Sequence, residues 1–233
     1  MSQLRAIIIA GGGSRRMGTD KALLPLQGRP LLAHVAAQLL AFCCHIDIAA
    51  GTAERAERYK TALVEAGVGH RVTVSSEGRD SSAPGRVIRF VDDRWPGAGP
   101  LAGLHAALSE HSPASQAAAS DREQTGLSPY ALVTACDMPM VSVPLVGRML
   151  EQARVTGADI ICVPGQPFHA LYHERIAAVI EAMLREGDRR FMRLLARVQT
   201  AEVELAAAEA ALFEPLNTPE AYWSYVEGLR GHP

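Results

Sequence analysis

Short apolar runs alternate along the chain with longer stretches in which apolar residues recur every three or four positions. The runs Leu4–Ala10, His45–Ala50, Val72–Val74, Val87–Val91, Tyr130–Thr134 and Asp159–Val163 have the length and β-branched content of buried strands. The stretches Leu31–Phe42, Ala53–Ala66, Leu101–Ser109, Val143–Val155, Ile176–Arg185, Phe191–Val198 and Pro219–Leu229 have helical spacing. Strand–helix alternation of this kind predicts a mostly parallel sheet covered by helices on both faces, a three-layer αβα fold. Ligands of such sheets bind beyond the carboxyl ends of the strands. Two segments, 75–85 and 112–128, are rich in Ser, Gly, Pro and charge and read as surface loops. At 233 residues one domain spanning 1–233 is expected.

The first predicted strand runs straight into GGGSRRMGTDK. Gly11, Gly12 and Gly13 carry no Cβ where the backbone leaves the strand, so main-chain N–H groups can approach an anion closely. Ser14, Arg15, Arg16 and Lys21 add a hydroxyl and three positive charges to the same segment. The combination reads as a polyphosphate cradle. It is neither of the two commoner glycine-rich phosphate loops. The dinucleotide fingerprint would need glycine where Arg16 stands, and the P-loop would need Lys-Ser/Thr where Thr19 and Asp20 stand.

Asp137 ends the apolar run ALVTAC and is followed two residues later by Pro139, which places it at the carboxyl end of a strand, facing the same crevice. One aspartate suffices for magnesium, which completes its shell with waters and substrate phosphates. Its alternative reading as a helix N-cap is weaker, since Ser142 fills that position better. Asp92 and Asp93 follow VIRFV in the same way. Beyond them, Gly99 and Pro100 predict a tight turn into a helix whose N-terminus also points at the crevice.

Bulk properties narrow the partners. A formal net charge of −2 gives no basic excess for nucleic acid or an anionic membrane surface. No stretch approaches the about 20 apolar residues of a membrane span, and the N-terminal run is too short for a signal sequence. Cys43, Cys44, Cys136 and Cys162 show no C-x-x-C spacing, which fits reduced thiols in a cytoplasmic protein.

The run IIIAGGGSRRMGTDKALLPLQGRPLLAH, from Ile7 to His34, resembles the N-terminal signature of the molybdenum cofactor guanylyltransferases, the MobA family. DDRWPGAGPLAGL, TACDMP, PFHALYH, GDRRFM and LNTPEAY continue the resemblance in the family's order. It implies a nucleotidyltransferase-like fold and transfer of GMP from GTP to molybdopterin with Mg²⁺ as cofactor. The implied catalytic residues are Arg15, Lys21 and Asp137, with Asp137 as metal ligand. The implied nucleotide site comprises Ile9, Ala10, Gly11, Gly12, Gly13, Ser14, Lys21, Asp93, Gly99, Pro100 and Leu101. The acceptor would meet His169, Arg189, Arg190 and Asn217. For His169 a core position, for Arg190 a solvated helix surface and for Asn217 an N-cap before Pro219 are the competing readings. The part up to about residue 140 would hold GTP and metal, and the part from about 141 the pterin.

The resemblance also allows a MobB-like adaptor and molybdoenzyme maturation partners. Three positions depart from the family's pattern: Ala49 stands for an asparagine at the end of the second strand, Pro215 for the first asparagine of the C-terminal pair, and Gln166 for a histidine. A cytidylyltransferase for the same pterin, another phosphorylated acceptor, or a non-catalytic nucleotide-binding regulator would each keep the glycine loop. The GPLAGL segment favours guanine, and an intact Lys21 and Asp137 favour an enzyme.

Overall fold

A computed structural model describes residues 4–11, 19–68, 72–75, 86–95, 97–109 and 128–230. The first strand, β1 (Arg5–Ile9), is buried along its whole length. Its side chains divide between two cores: Ala6 and Ile8 face one apolar cluster, Ile7 and Ile9 the other. A strand whose alternate residues enter separate cores must lie inside a layered sheet. Each fully buried isoleucine contributes roughly 1.5–3 kcal/mol of transfer free energy to that arrangement.

After β1 come a small hairpin, β2 (Pro25–Leu26) and β3 (Arg29–Pro30), helix α1 (Leu31–Leu40), β4 (His45–Ala49), α2 (Ala53–Glu65), β5 (Val72–Ser75) and β6 (Arg86–Val91). They are followed by α3 (Pro100–Ser109), β7 (Tyr130–Ala135), α4 (Val143–Thr156), β8 (Ile160–Cys162), β9 (Ala170–His173), α5 (Ala177–Arg185), α6 (Phe191–Leu195), β10 (Thr200–Glu202) and α7 (Pro219–Arg230). Eight strands form one sheet in the order β10-β8-β9-β7-β1-β4-β6-β5. Every pairing is parallel except the two made by β9. Helices α1, α2 and α4 pack their apolar faces on one side of the sheet, α3 and α5 on the other.

The three-layer αβα fold and mostly parallel sheet expected from the sequence are therefore present. The hairpin β2–β3, the antiparallel β9 and the edge strand β10 go beyond the predicted elements, and α6 is shorter than predicted. Most of the two predicted surface loops, 76–85 and 112–127, lies outside the described residues.

Register decides what stands at the carboxyl edge. Ile9 pairs with Ala49 on one side and Ala135 on the other, and Ala49 pairs with Val91. The strand exits of β7, β1, β4 and β6 therefore form a row. Asp137 follows two residues after Ala135, Gly11 two after Ile9, Gly51 two after Ala49 and Asp93 two after Val91. With strands about 4.8 Å apart, this row spans roughly 14 Å from Asp137 to Asp93.

Candidate active site

The row opens into two clefts that share Ile9, Gly11 and Pro100. One, of about 570 Å³, is walled by Asp20, Lys21, Asp137 and Phe168. The other, of about 590 Å³, is walled by Ala49, Arg55, Asp93, Gly99 and Gly103.

Gly11 lies close against the β4 exit. A Cβ there would lie 3.1 Å from the Ala50 carbonyl carbon and from Gly51 N, so a side chain at this position would need that backbone to give way. The loop that follows returns at Asp20, whose carboxylate accepts from the Tyr59 hydroxyl at 2.8 and 3.0 Å and from Ala22 N at 3.2 Å. Arg55 and Arg58 stand 3.9 and 4.0 Å from the same carboxylate. Tyr59 is wholly buried and its hydroxyl also reaches the Ala10 carbonyl at 3.2 Å, so α2 ties together the two ends of the glycine-rich segment. Asp20 thus caps the 3-10 turn that begins with Lys21.

Lys21 points from that turn across the cleft. Its Nζ donates to Asp137 Oδ2 at 3.3 Å and makes a close contact with Asn217 Oδ1. Both members of the ion pair are mostly buried, with side chains 17% and 16% exposed, which strengthens their attraction over that of a surface pair. Residues 21, 137 and 217 come from three distant parts of the chain. Asn217 is held there because Leu216 N donates to the Asp137 carbonyl at 2.9 Å, while Thr218 rather than Asn217 caps α7, accepting from Ala221 N at 3.2 Å. In the same way Ser142 caps α4, accepting from Leu145 N at 3.1 Å, and leaves Asp137 free of that duty. Gln38 on α1 braces the loop after Asp137: its amide donates to the Pro139 carbonyl at 2.5 Å and accepts from Val141 N at 3.1 Å.

Two oxygen donors, a carboxylate and an amide, converge here on one cation. Hard oxygen donors of this kind fit magnesium, which needs only one or two carboxylates when water and substrate phosphate complete its octahedron. Among the described residues no group of three or more His, Cys, Asp and Glu is clustered as a self-sufficient metal cage.

In the second cleft, Asp93 accepts from Trp95 N at 2.8 Å, and burial raises its pKa above the ordinary value. Gly99 and Pro100 lead into α3, as expected, with Ala102 N bonded to the Gly99 carbonyl at 3.1 Å. Helix α3 can lie against the sheet because Gly103 has no side chain: a Cβ there would come 2.7 Å from the Ala49 Cβ. Leu101 lines neither cleft: its side chain is buried in the core beneath α3.

The acceptor residues expected from the sequence are distributed differently. His169, with a left-handed φ of 52°, turns into the core, 2% exposed, with Met140 O at 2.5 Å and Thr134 Oγ1 at 3.4 Å. Its burial lowers the imidazole pKa and favours the neutral ring. Its neighbour Phe168 faces the cleft instead, backed by Phe191 at a ring distance of 5.1 Å. Arg189 donates to the Gly97 carbonyl at 3.0 Å, on the side of the second cleft. Arg190 is exposed and paired with Asp188 at 2.9 Å. Gly12, Gly13, Ser14 and Arg15 lie outside the described residues. Phe168 and Arg55 were not singled out in the sequence. Apolar Phe168 gave no chemical signal, and Arg55 looked like one of several charges on an amphipathic helix.

Residues 6–203 match the family model of the MobA-like NTP transferase domain. The chain belongs to the MobA-like NTP transferase family. Relatives of this family include a probable molybdenum cofactor guanylyltransferase of Opitutus terrae, 32% identical over 84% of this chain and 79% of the relative. Another is a probable molybdenum cofactor guanylyltransferase of Pelotomaculum thermopropionicum, 30% identical over 94% and 90% of the two chains. Among solved structures, molybdopterin-guanine dinucleotide biosynthesis protein A from Archaeoglobus fulgidus shares the fold with a TM-score of 0.71 at 20% identity, covering 97% of this chain and 99% of its own. As a MobA-like NTP transferase this protein is a nucleotidyltransferase enzyme. Asn217 lies beyond the matched span, in the segment that brings its amide to Lys21.

Proposed function

We propose that the protein transfers GMP from GTP to the terminal phosphate of molybdopterin. An oxygen of that phosphate monoester attacks the α-phosphorus of GTP, a new P–O–P link forms, the bond from the α-phosphorus to the bridging oxygen breaks, and pyrophosphate departs with the electron pair. The product is a molybdopterin guanine dinucleotide. The convergence of Lys21, Asp137 and Asn217 at the strand exits, beside the glycine-rich segment, carries this reading. The names of the relatives, probable molybdenum cofactor guanylyltransferases, support the guanylyl group and the molybdenum cofactor as acceptor.

In this reading the triphosphate lies across the strand exits, with the nucleoside in the Asp93 cleft and the reacting phosphates in the Lys21 cleft. The acceptor phosphate is anionic at neutral pH and needs no general base, so the protein's task is to offset repulsion between two polyanions. Lys21 is poised to do so, since its ammonium is already within reach of the reacting side and can exchange Asp137 for a phosphate oxygen. Arg15, by resemblance, adds a second cation. Asp137 and Asn217 would hold Mg²⁺, which when bound supplies charge neutralisation at the phosphates. The N-terminal part up to about residue 140 serves GTP and metal, and the part from about 141 serves the acceptor while lending Asn217 to the metal side. Phe168 offers a planar aromatic wall suited to a pterin ring.

The reaction is expected in the cytoplasm, with a MobB-like adaptor and maturing molybdoenzymes as partners. Among the described residues no helix is long and apolar enough to cross a membrane.

Pyrophosphate release with molybdopterin and Mg²⁺ tests the proposal. Release is expected with GTP and to a much lesser extent with CTP or ATP, and Asp137→Asn is expected to lower kcat by about 10³-fold while GTP still binds. Release with CTP alone, or full activity in D137N, would overturn it.

A further inference from the structure

The cleft assigned to the nucleoside carries two charged side chains, Asp93 and Arg55. Arg55 is on the first turn of α2, whose start is fixed by Thr52 accepting from Arg55 N at 3.3 Å. Its Nε is turned toward Asp20, 3.9 Å away, and its Nη1 lies beside Gly51, 3.9 Å from where a Cβ would be. The guanidinium therefore has at its back a carboxylate that also accepts from Tyr59 and Ala22 N. The side chain lines the cleft beside the β4 exit. With its side chain 32% exposed, it remains open to a ligand. Across the same cleft stands the small side chain of Ala49, 2% exposed and without polar atoms. Ala49 occupies the position where the family's pattern places an asparagine. The strand end itself thus offers the base no side-chain hydrogen bond.

In the proposed function the reacting phosphates lie beside Lys21 and Asp137 in the neighbouring cleft, which leaves the cation of this one for the nucleoside. A purine with two acceptors on one edge and two adjacent donors on another matches a guanidinium and a carboxylate that line one cleft. Guanine has this pattern, with O6 and N7 accepting and N1–H and the 2-amino group donating. Arg forks pair bidentately with O6 and N7, a geometry that a lysine's single ammonium does not reproduce. We propose that Arg55 is a specificity-determining residue that binds the O6/N7 edge of guanine, while Asp93 takes the donor edge. The inference rests on the guanylyltransferase reading and extends it to a residue that the sequence pattern does not mark.

Calorimetric titration of the full chain with nucleotides in Mg²⁺ tests it. Four ligands are compared: GTP, CTP, inorganic pyrophosphate, and 7-deazaguanosine triphosphate, in which a C–H replaces N7. The wild-type protein is expected to bind 7-deazaguanosine triphosphate about tenfold more weakly than GTP. Arg55→Ala is expected to bind GTP about ten- to a hundredfold more weakly, to lose the distinction between GTP and its 7-deaza analogue, and to keep its affinity for pyrophosphate. Arg55→Lys is expected to restore little of the loss, because the fork and not the charge is required. Circular dichroism melting of R55A controls for folding, since Asp20 retains Tyr59 as a partner.

GTP affinity unchanged in R55A would overturn the proposal. Equal weakening toward GTP, the 7-deaza analogue and pyrophosphate would also overturn it, assigning Arg55 to the phosphates. Preference of the wild-type protein for CTP would instead refute the guanylyltransferase reading on which it rests, so the two failures are distinct.

Discussion

At the scale of single residues, the informative events are small changes in what a side chain faces. Phe168 and His169 are neighbours, yet the left-handed backbone at His169 sends the imidazole into the core and leaves the phenyl ring in the cleft. No pattern of residue types in PFHALYH distinguishes the two outcomes, because a half-buried Phe and a buried His are each unremarkable at a strand start. Asp93 makes a testable contribution at the same scale. Burial raises its pKa above the ordinary carboxylate value, with the Trp95 N–H partly opposing the shift. An acid whose folded pKa is raised is protonated first as pH falls, and the change relieves the fold instead of weakening it. Guanine's donor edge needs the ionised carboxylate. GTP affinity is therefore expected to fall on acidification with a midpoint above about 4, the usual carboxylate value, while the melting temperature does not fall in step. Asp93→Asn should bind GTP more weakly at neutral pH and show little pH dependence in this range. Titrations at several pH values check this, and a D93N variant with the wild-type profile would contradict it.

Among elements, α3 is the one whose placement defines the nucleoside cleft. It sits against β4 because Gly103 presents no Cβ to Ala49. In Gly103→Ala the added carbon would meet the Ala49 Cβ at 2.7 Å, and neither a helix backbone nor an alanine methyl can rotate away. The helix must shift, carrying Gly99 and Pro100 with it. A stability loss of about 1–3 kcal/mol is expected, together with weaker GTP binding. Thermal denaturation and nucleotide titration of G103A measure the two effects, and wild-type values in both would refute the packing argument. The sequence made this element legible through its apolar spacing and the Gly99-Pro100 start, but not the closeness of its approach. Gly103 reads as a tolerated helix glycine until its cross-sheet neighbour is known. Asp137 was legible for a stronger reason: an apolar run stopped by a carboxylate and a proline has few other meanings. Asn217 was different again. Its alternative as an N-cap was chemically sound, and only the tertiary return of residues 216 and 217 to Asp137 and Lys21, with Thr218 taking over the cap, separates the two.

At the scale of the whole molecule, the sheet divides its polar residues by height. The carboxyl edge holds the clefts, while farther down the face covered by α3 and α5 Asp47 is fully buried beside two arginines and a histidine. Arg89, its register partner on β6, donates through Nε at 2.9 Å, His45 Nε2 lies at 3.0 Å and Arg5 at 3.9 Å. Arg5 in turn reaches Glu174 at 3.7 Å, next to the antiparallel strand β9. The network thus links β1, β4, β6 and the β9 exit, the strands that carry most of the catalytic edge. Its net worth relative to an apolar core is small, because desolvation offsets much of the attraction, but removing one charge leaves the others buried without compensation. Asp47→Asn keeps the shape and deletes the charge. It is expected to cost about 3–5 kcal/mol in folding free energy. Fully formed D47N molecules should still bind GTP, since none of the groups that line either cleft is altered. Urea denaturation followed by GTP titration at a temperature where the variant is folded separates these effects. A denaturation midpoint equal to wild type would show that the buried charges are dispensable. Lost binding in a folded variant would show instead that the network positions the strand exits, making the lower face of the sheet part of the active site's support.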